Sequence, residues 1–208
     1  MNNHWNEWIY KLWAPFYDKF FNTGKFLNAR KEIFSKTHFV KNQRILVVGV
    51  GTGAELEQID HTELNITAID YSDDMLKRAK AKFNGSSIQF LKMDAQQMSF
   101  RDCDFDVVIG SLVLSVVPDA DTCLKEMARV LKPNGELIIF DKFKPKDKGL
   151  SPFKKAIRPF IKRLGTDIGI DFEKLHDNHK ETLFVKEDNP AMLNGMYRKI
   201  ILNKVSKY

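Results

Sequence analysis

Two hydrophobic rhythms alternate along this chain. Short continuous apolar runs recur at Arg44–Val48, Ile66–Ile69, Ile88–Leu91, Phe105–Ile109 and Glu136–Phe140. Runs of that length and continuity predict strands buried on both faces of a parallel sheet. Between them, Ala54–Ile59, Asp73–Phe83 and Asp121–Leu131 carry helical spacing. In the last of these, Leu124, Met127, Ala128 and Leu131 make one apolar face, and Lys132-Pro-Asn-Gly135 stops the helix. Strands alternating with helices in this way predict right-handed βαβ units and a doubly wound α/β sheet. Upstream, residues 4–36 predict helix, with Trp5, Trp8, Ile9, Leu12, Phe16 and Phe20 at three- and four-residue steps and Pro15 as a break or kink. Downstream, Thr182–Val185 and Tyr197–Val205 predict two strands joined by a Pro-containing loop, an antiparallel pair at one edge.

Doubly wound sheets bind ligands at the carboxyl ends of their strands, so the polar and glycine residues there carry the chemistry. After the first strand comes Gly49-Val-Gly51-Thr52-Gly53, where the absence of Cβ atoms permits a sharp turn and close approach of backbone to ligand. Gly49-x-Gly51-x-x-Ala54 also satisfies the looser dinucleotide pattern. Asp70 closes the second strand, nineteen residues after Gly51, and a carboxylate there can accept from both ribose hydroxyls of NAD or of S-adenosylmethionine (SAM). Ser72 and Asp73 are better helix caps than Asp70, which leaves Asp70 for the ligand. Asp94-Ala95 follows the third strand; a carboxylate next to a free N–H can read the amine and ring nitrogen of adenine together. A dinucleotide enzyme needs a second nucleotide site in a later half, and 208 residues leave no room for that and a substrate domain. The pattern favours SAM.

These same segments carry a family resemblance. Ile45–Gly53, Ala68–Leu76, Met93–Ala95 and Leu131–Leu137 resemble the successive motifs of class I SAM-dependent methyltransferases, over about residues 40–143. The resemblance implies a Rossmann-like, doubly wound, seven-stranded and mostly parallel sheet, order 3-2-1-4-5-7-6, with an antiparallel last strand. It also implies that Gly49, Gly51 and Gly53, with Thr52 between them, pass the methionine moiety, that Asp70 holds the ribose, and that Tyr71 and Met75 cover the adenine face. Asp94 and Ala95 hold the adenine edge, and Ser111 lines the sulfonium side. One position departs: the acid usual two residues before the first glycine is Val47 here. If only an orienting group is missing, Val47→Glu should be tolerated and tighten SAM binding. The flanks, Leu12–Asp18, Phe140–Phe143 and Gly165–Gly169, resemble bacterial phospholipid (phosphatidylethanolamine) N-methyltransferases and, more distantly, quinone C-methyltransferases.

Charge sharpens the choice of acceptor. The chain carries a net +6, and Lys142–Arg163 alone holds nine basic residues against Asp147, a local charge of +8. Within it Phe153, Ile157, Phe160, Ile161 and Leu164 share one helical face, the layout of a helix at an anionic membrane surface or of a substrate lid. A lipid or membrane-associated acceptor is expected, with a soluble anionic small molecule or a non-catalytic nucleotide-binding module as alternatives; no base-reading module for nucleic acid is recognisable. Methyl transfer needs no metal, and His176-x-x-His179 lacks further ligands. Cys103 and Cys123 have no paired spacing, which fits a reducing interior. Without a run of 18 apolar residues or a signal sequence, a cytoplasmic protein is expected, peripheral at most to the inner face of the membrane. Tyr10, Tyr17 and Asp141 are the candidates to orient the acceptor or take its proton, Tyr17 also as a cofactor contact. The expected organisation is a single domain: an aromatic helical lid (1–39), a SAM-binding core (40–143), a basic lid or interfacial insertion (144–181) and a strand pair (182–208).

Overall fold

The computed structural model describes residues 22–146, 152–163 and 165–206. Its strands are β1 (Arg44–Val48), β2 (Asn65–Asp70), β3 (Gln89–Lys92), β4 (Phe105–Ser111), β5 (Leu131–Lys142), β6 (Leu183–Met192) and β7 (Tyr197–Lys204). They form one seven-stranded sheet in the order β3-β2-β1-β4-β5-β7-β6. Neighbours from β3 through β5 pair in parallel. β7 pairs antiparallel with both β5 and β6, so β7 alone runs against the rest. The order and the reversed strand are those implied by the sequence.

The continuous apolar runs arise because each central strand feeds two cores. Leu46 and Val48 of β1 join Val108, Leu137 and Ile139 on one face. Ile45 and Val47 join Val107, Ile109, Ile138 and Phe140 on the other. Helix α1 (Gly24–Ser35) covers the second face with Ala29, Ile33 and Phe34. Helix α2 (Asp73–Lys82) starts where Ser72 Oγ accepts from Met75 N–H, with Asp73 and Asp74 in its first turn and Lys80 and Lys82 in its last, each favourable to the helix dipole. Helix α3 (Ala120–Val130) is capped by Asp119, which accepts from the N–H groups of Asp121 and Thr122, and it buries Cys123, Leu124, Met127 and Ala128. Two further helices, α4 (Pro152–Arg163) and α5 (Phe172–Asp177), lie between β5 and β6.

Three expectations change. The helix expected over Ala54–Ile59 is a run of turns ending in a single 3₁₀ turn, Leu56–Gln58; a segment that short does not recover the cost of helix nucleation. The helix does end before Lys132–Gly135, but the strand expected from Glu136 begins already at Leu131 and takes that stretch into β5, whose register with β4 slips between Phe105 and Val107. Pro190, expected in a loop, lies inside β6. An edge strand tolerates it because one row of its backbone groups has no partner, and two register shifts bend that edge. The turn itself is Leu193–Gly195, three residues in the left-handed region. Of the helix expected over residues 4–36, Gly24–Ser35 is helical, while Trp5, Trp8, Trp13 and Pro15 lie outside the described residues.

Much of the basic segment turns inward. Lys142 is buried beside the Thr166 hydroxyl, and burial lowers its ammonium pKa. Lys144 pairs with Asp171 at 3.0 Å and Lys146 with Asp188 at 2.6 Å. Arg158 forks onto Asp167, Nε to Oδ1 at 2.8 Å and Nη2 to Oδ2 at 2.9 Å. A Cβ on Gly169 would lie 2.3 Å from Arg158 Nε, so this glycine makes room for the guanidinium. Four of the nine basic residues therefore serve the fold, and the charge left for a partner is smaller than composition implies. On α4, Phe160 is 75% exposed while Ile157 and Ile161 are half-buried. Lys148 and the side chains of Lys154, Lys155, Lys162 and Arg163 lie outside the described residues.

The surroundings of Val47 argue against the tolerance of Val47→Glu expected if only an orienting group is missing. Val47 is 1% exposed within the apolar cluster that α1 covers. A carboxylate introduced there loses its hydration without a designed partner, at a cost of several kcal/mol. Val47→Glu is expected to lower the melting temperature by about 10 °C or more, measured by circular dichroism; a melting temperature unchanged from wild type contradicts this reading of the position.

Candidate active site

The polar residues singled out at the strand ends converge because the strands carrying them are neighbours. The turn after β1 holds Gly49, Gly51 and Gly53 at φ of +70°, +54° and +88°. All three lie in the left-handed region open chiefly to glycine. The turn is fastened to the end of β2. Gly49 N–H and Val50 N–H both donate to Ile69 O, at 2.9 and 3.0 Å, and Gly51 N–H donates to Asp70 Oδ2 at 2.8 Å. Asp70 Oδ1 accepts from Ser72 N–H at 2.8 Å. Burial raises the Asp70 carboxyl above the usual carboxylate range, against the N–H donors of Ser72, Gly51 and Tyr71. Tyr71 is half-buried under Lys92, whose ammonium lies 5.8 Å from the ring centroid, and Met75 is buried at 2%.

The neighbouring strands bring in the remaining positions. Met93 N–H donates to Asp70 O at 3.0 Å, which sets Asp94 next to the end of β2. Asp94 Oδ1 accepts from Gln96 N–H at 2.9 Å, and Gln96 Oε1 in turn accepts from Asp119 N–H, linking this turn to the start of α3. Ala95 is buried. On the other side of β1, Val48 pairs with Gly110, which brings Ser111 level with Gly49. Ser111 Oγ is buried without a hydrogen-bond partner. Thr52 is buried, and its Oγ1 accepts from Asn22 at 3.2 Å.

Asp141, expected to act on the acceptor, has no exposed surface. Its oxygens accept from Ser115 N–H at 3.2 Å and Lys142 N–H at 2.7 Å. Burial raises its pKa, opposed by the Ser115 hydroxyl and the Lys142 ammonium. This geometry makes Asp141 a support for the Ser111–Ser115 segment. Tyr10 and Tyr17 lie outside the described residues. His176 Nε2 lies 2.9 Å from Leu183 O and His179 Nε2 3.1 Å from Asp121 Oδ1, so both rings serve the fold. Among the described residues no group of three or more His, Cys, Asp or Glu side chains could hold a metal. Cys123 is a core thiol whose pKa burial pushes up, unsuited to nucleophilic use. Sequence reasoning overlooked Arg30 and Glu55, a fully buried pair beside the glycine turn. The position of Glu55, directly after the turn, was the available signal.

The electrostatics distinguish between the two cofactors the glycine pattern allows. A pyrophosphate needs open N–H groups and a helix N-terminus. Here the N–H groups of Gly49, Val50, Gly51 and Gly53 are all donated internally, only a 3₁₀ turn follows, and Asp70 stands against the loop. A dinucleotide fits poorly. SAM suits the site: it carries no phosphate, its hydroxyls and amine are donors for the carboxylates, and Ser111 Oγ has a free hydrogen-bonding capacity. The comparisons agree. Residues 46–139 match the family described as "Methyltransferase domain". The chain is 34% identical to the phosphatidylethanolamine N-methyltransferase of Cereibacter sphaeroides, over 90% of this chain and 92% of that one.

This chain belongs to the class I SAM-dependent methyltransferases.

It is also 28% identical to the demethylmenaquinone methyltransferase of Lactobacillus johnsonii, over 93% of this chain and 84% of the relative. A chain of the complex between the Haloferax volcanii Trm112 methyltransferase activator and a methyltransferase superposes with a TM-score of 0.75, covering 99% of this chain and 100% of that one at 15% identity. At that identity the likeness concerns the fold alone. The protein is thus a methyltransferase with SAM as cofactor, and the non-catalytic alternative falls away.

Gly53 tests whether the turn is as constrained as its geometry indicates. A Cβ there would lie 2.6 Å from Phe83 Cε2, in a left-handed backbone. Gly53→Ala is expected to cost about 2–4 kcal/mol, from backbone strain together with overpacking. Adding Phe83→Leu should recover only the overpacking part. Urea unfolding of both variants measures this, and an Ala variant as stable as wild type contradicts it.

Proposed function

We propose that this methyltransferase N-methylates a phospholipid head group. The observation that carries the reading is the 34% identity to a phosphatidylethanolamine N-methyltransferase along nearly the whole of both chains, flanks included and not the cofactor core alone. The flanks are where acceptor choice resides, because the core motifs serve the cofactor. Phe160, 75% exposed on a helix rich in Lys and Arg, supports a lipid surface as the place where the acceptor is met. No helix among the described residues is long and apolar enough to cross a membrane, so contact would be peripheral. A second reading, transfer to a quinone ring carbon, is favoured by the demethylmenaquinone relative, which also matches along most of its length.

Bound SAM supplies a methyl group on a sulfonium, already an excellent leaving group. The residues of this chain then act by binding, orienting and excluding water. In this reading the turn Gly49–Gly53, with Thr52, lies along the methionine end, Asp70 accepts from the ribose hydroxyls, and Asp94 with the Ala95 N–H reads the adenine edge. Tyr71 and Met75 bound the adenine face, and Ser111 Oγ lines the sulfonium side. Asp141 holds the segment that carries Ser115. Tyr10 and Tyr17 remain the candidates to orient the acceptor nitrogen, which must be neutral to attack.

Labelled SAM offered with phosphatidylethanolamine vesicles, demethylmenaquinone and soluble metabolites separates the readings: label is expected in the phospholipid. Label in the quinone alone rejects the head-group reading. Co-sedimentation with anionic vesicles is expected to weaken as salt rises and when Phe160→Ser removes the exposed ring. Protein that stays in the supernatant at low ionic strength rejects the membrane surface as partner.

Asp70 also imposes a pH dependence. Its folded-state carboxyl lies above the ordinary value, so its ionisation opposes folding: the related stability is complete below the unfolded pKa and is lost as pH rises through the folded one. Ribose donors favour the ionised form. SAM affinity should therefore rise with pH through this elevated range, with proton release on binding. Asp70→Asn should flatten that rise, and Asp70→Ala should weaken binding by about 1–3 kcal/mol. Calorimetry in buffers of different ionisation enthalpy measures both. Equal affinity of wild type and Asp70→Ala excludes Asp70 from the ribose.

A further inference from the structure

An ion pair lies between helix α1 and the glycine turn, sealed from water. Arg30 Nε donates to Glu55 Oε1 at 2.6 Å, with Arg30 2% and Glu55 3% exposed. A second tie reaches the turn from the residues just before α1, Asn22 Nδ2 donating to Thr52 Oγ1 at 3.2 Å, where Thr52 is 1% exposed. The helix reaches further. Phe26 packs edge-on against Tyr197, ring centroids 5.3 Å apart, and the Arg30 charge bears on the Tyr197 hydroxyl. Helix α1 thus bridges the turn after β1 and the start of β7.

Stability alone accounts poorly for this pair. Desolvating two charges offsets most of their attraction, and apolar side chains of similar volume commonly serve as well. The cluster on that face of the sheet holds Ala29, Ile33, Phe34, Val47 and Leu56, an environment that would accept them. A guanidinium–carboxylate pair adds direction: it fixes where the carboxylate sits. The turn needs fixing, because Gly49, Gly51 and Gly53 leave it conformationally permissive. Its main-chain N–H groups are tied to β2, to the Ile69 carbonyl and the Asp70 carboxylate. Arg30 and Asn22 tie its Glu55 and Thr52 side chains.

We propose that Arg30 and Glu55 are positioning residues that hold the glycine turn in its cofactor-receiving shape and couple it to α1, so that SAM binding and the docking of α1 reinforce each other. The proposal rests on the reading that this turn receives the methionine end of SAM. Coupling between two sites is reciprocal: what α1 contributes to SAM affinity, SAM returns as order in α1.

Hydrogen exchange on the full chain, with and without saturating SAM, tests this in the wild type. Amides of the turn (49–55) and of α1 (24–35) should both slow, those of α1 by about fivefold or more. Turn amides that slow while α1 is unchanged overturn the coupling and leave the cofactor site standing. Turn amides that do not slow overturn the site reading and the proposal with it. The double variant Arg30→Met/Glu55→Leu separates positioning from stability. It should melt within a few degrees of wild type yet bind SAM about tenfold more weakly, and SAM should no longer slow its α1 amides. SAM affinity equal to wild type, or persistent slowing of α1, overturns the proposal. If the double variant does not fold, Arg30→Lys, which keeps the charge and loses the planar Nε–H donor to Glu55, should weaken SAM binding without lowering the melting temperature; unchanged affinity in Arg30→Lys overturns it equally.

Discussion

Everything at the ligand end of this sheet depends on one fastening: three consecutive main-chain N–H groups after β1, those of Gly49, Val50 and Gly51, are accepted by the last two residues of β2. A turn that tight demands left-handed backbone at alternate positions, hence the glycines. It also consumes the donors that a phosphate would need. The carboxylate that accepts from Gly51 is the one proposed above to meet the ribose, so in that reading Asp70 is at once a structural tie and a recognition group. Its burial raises the cost of its charge, a cost that donors from the proposed ribose would relieve. Chemistry and architecture are therefore set by the same hydrogen bonds, and a phosphate-free nucleoside is the ligand they suit.

Around that fastening, polar groups act chiefly as supports. Gln96 joins the Asp94 turn to the start of α3. Asp141 holds Ser115, and the peptide N–H of Asp167 donates to Ser115 O at 2.6 Å while its side chain seats Arg158. A chain of contacts thus runs from β5 through the segment after β4 to helix α4. Arg198 shows the same economy: it is 3% exposed, pairs with Asp188 and Glu173, and lies over the Phe143 and Phe172 rings. Methyl transfer from a sulfonium asks little of side chains beyond placement, and this molecule invests its buried charges accordingly.

The sheet was legible in the sequence because strands such as Ile45–Val48 and Val107–Ile109 are buried on both faces, which leaves continuous apolar runs. That the glycines, Asp70 and Asp94 meet at one end of the sheet was legible because parallel strands bring their carboxyl ends together. What escaped depended on distance in sequence or on edges. Arg30 and Glu55 are 25 residues apart, and nothing local reveals that an arginine in an amphipathic helix turns inward. Pro190 read as a loop because proline is excluded from central strands, yet β6 is an edge. The +8 segment read as charge available to an anionic partner because composition does not record that Lys144, Lys146 and Arg158 meet Asp171, Asp188 and Asp167.

The central claim is that the cofactor lies across the ends of β1, β2 and β3 with its adenosine fixed by two carboxylates. A crystal structure of the complex with S-adenosylhomocysteine tests it most directly. The account predicts both ribose hydroxyls at about 2.5–3.0 Å from Asp70 oxygens and the adenine amine within about 3.2 Å of the Asp94 carboxylate, with the Ala95 N–H on the ring. An adenine seated away from β3, or a ribose that makes no contact with Asp70, would contradict it.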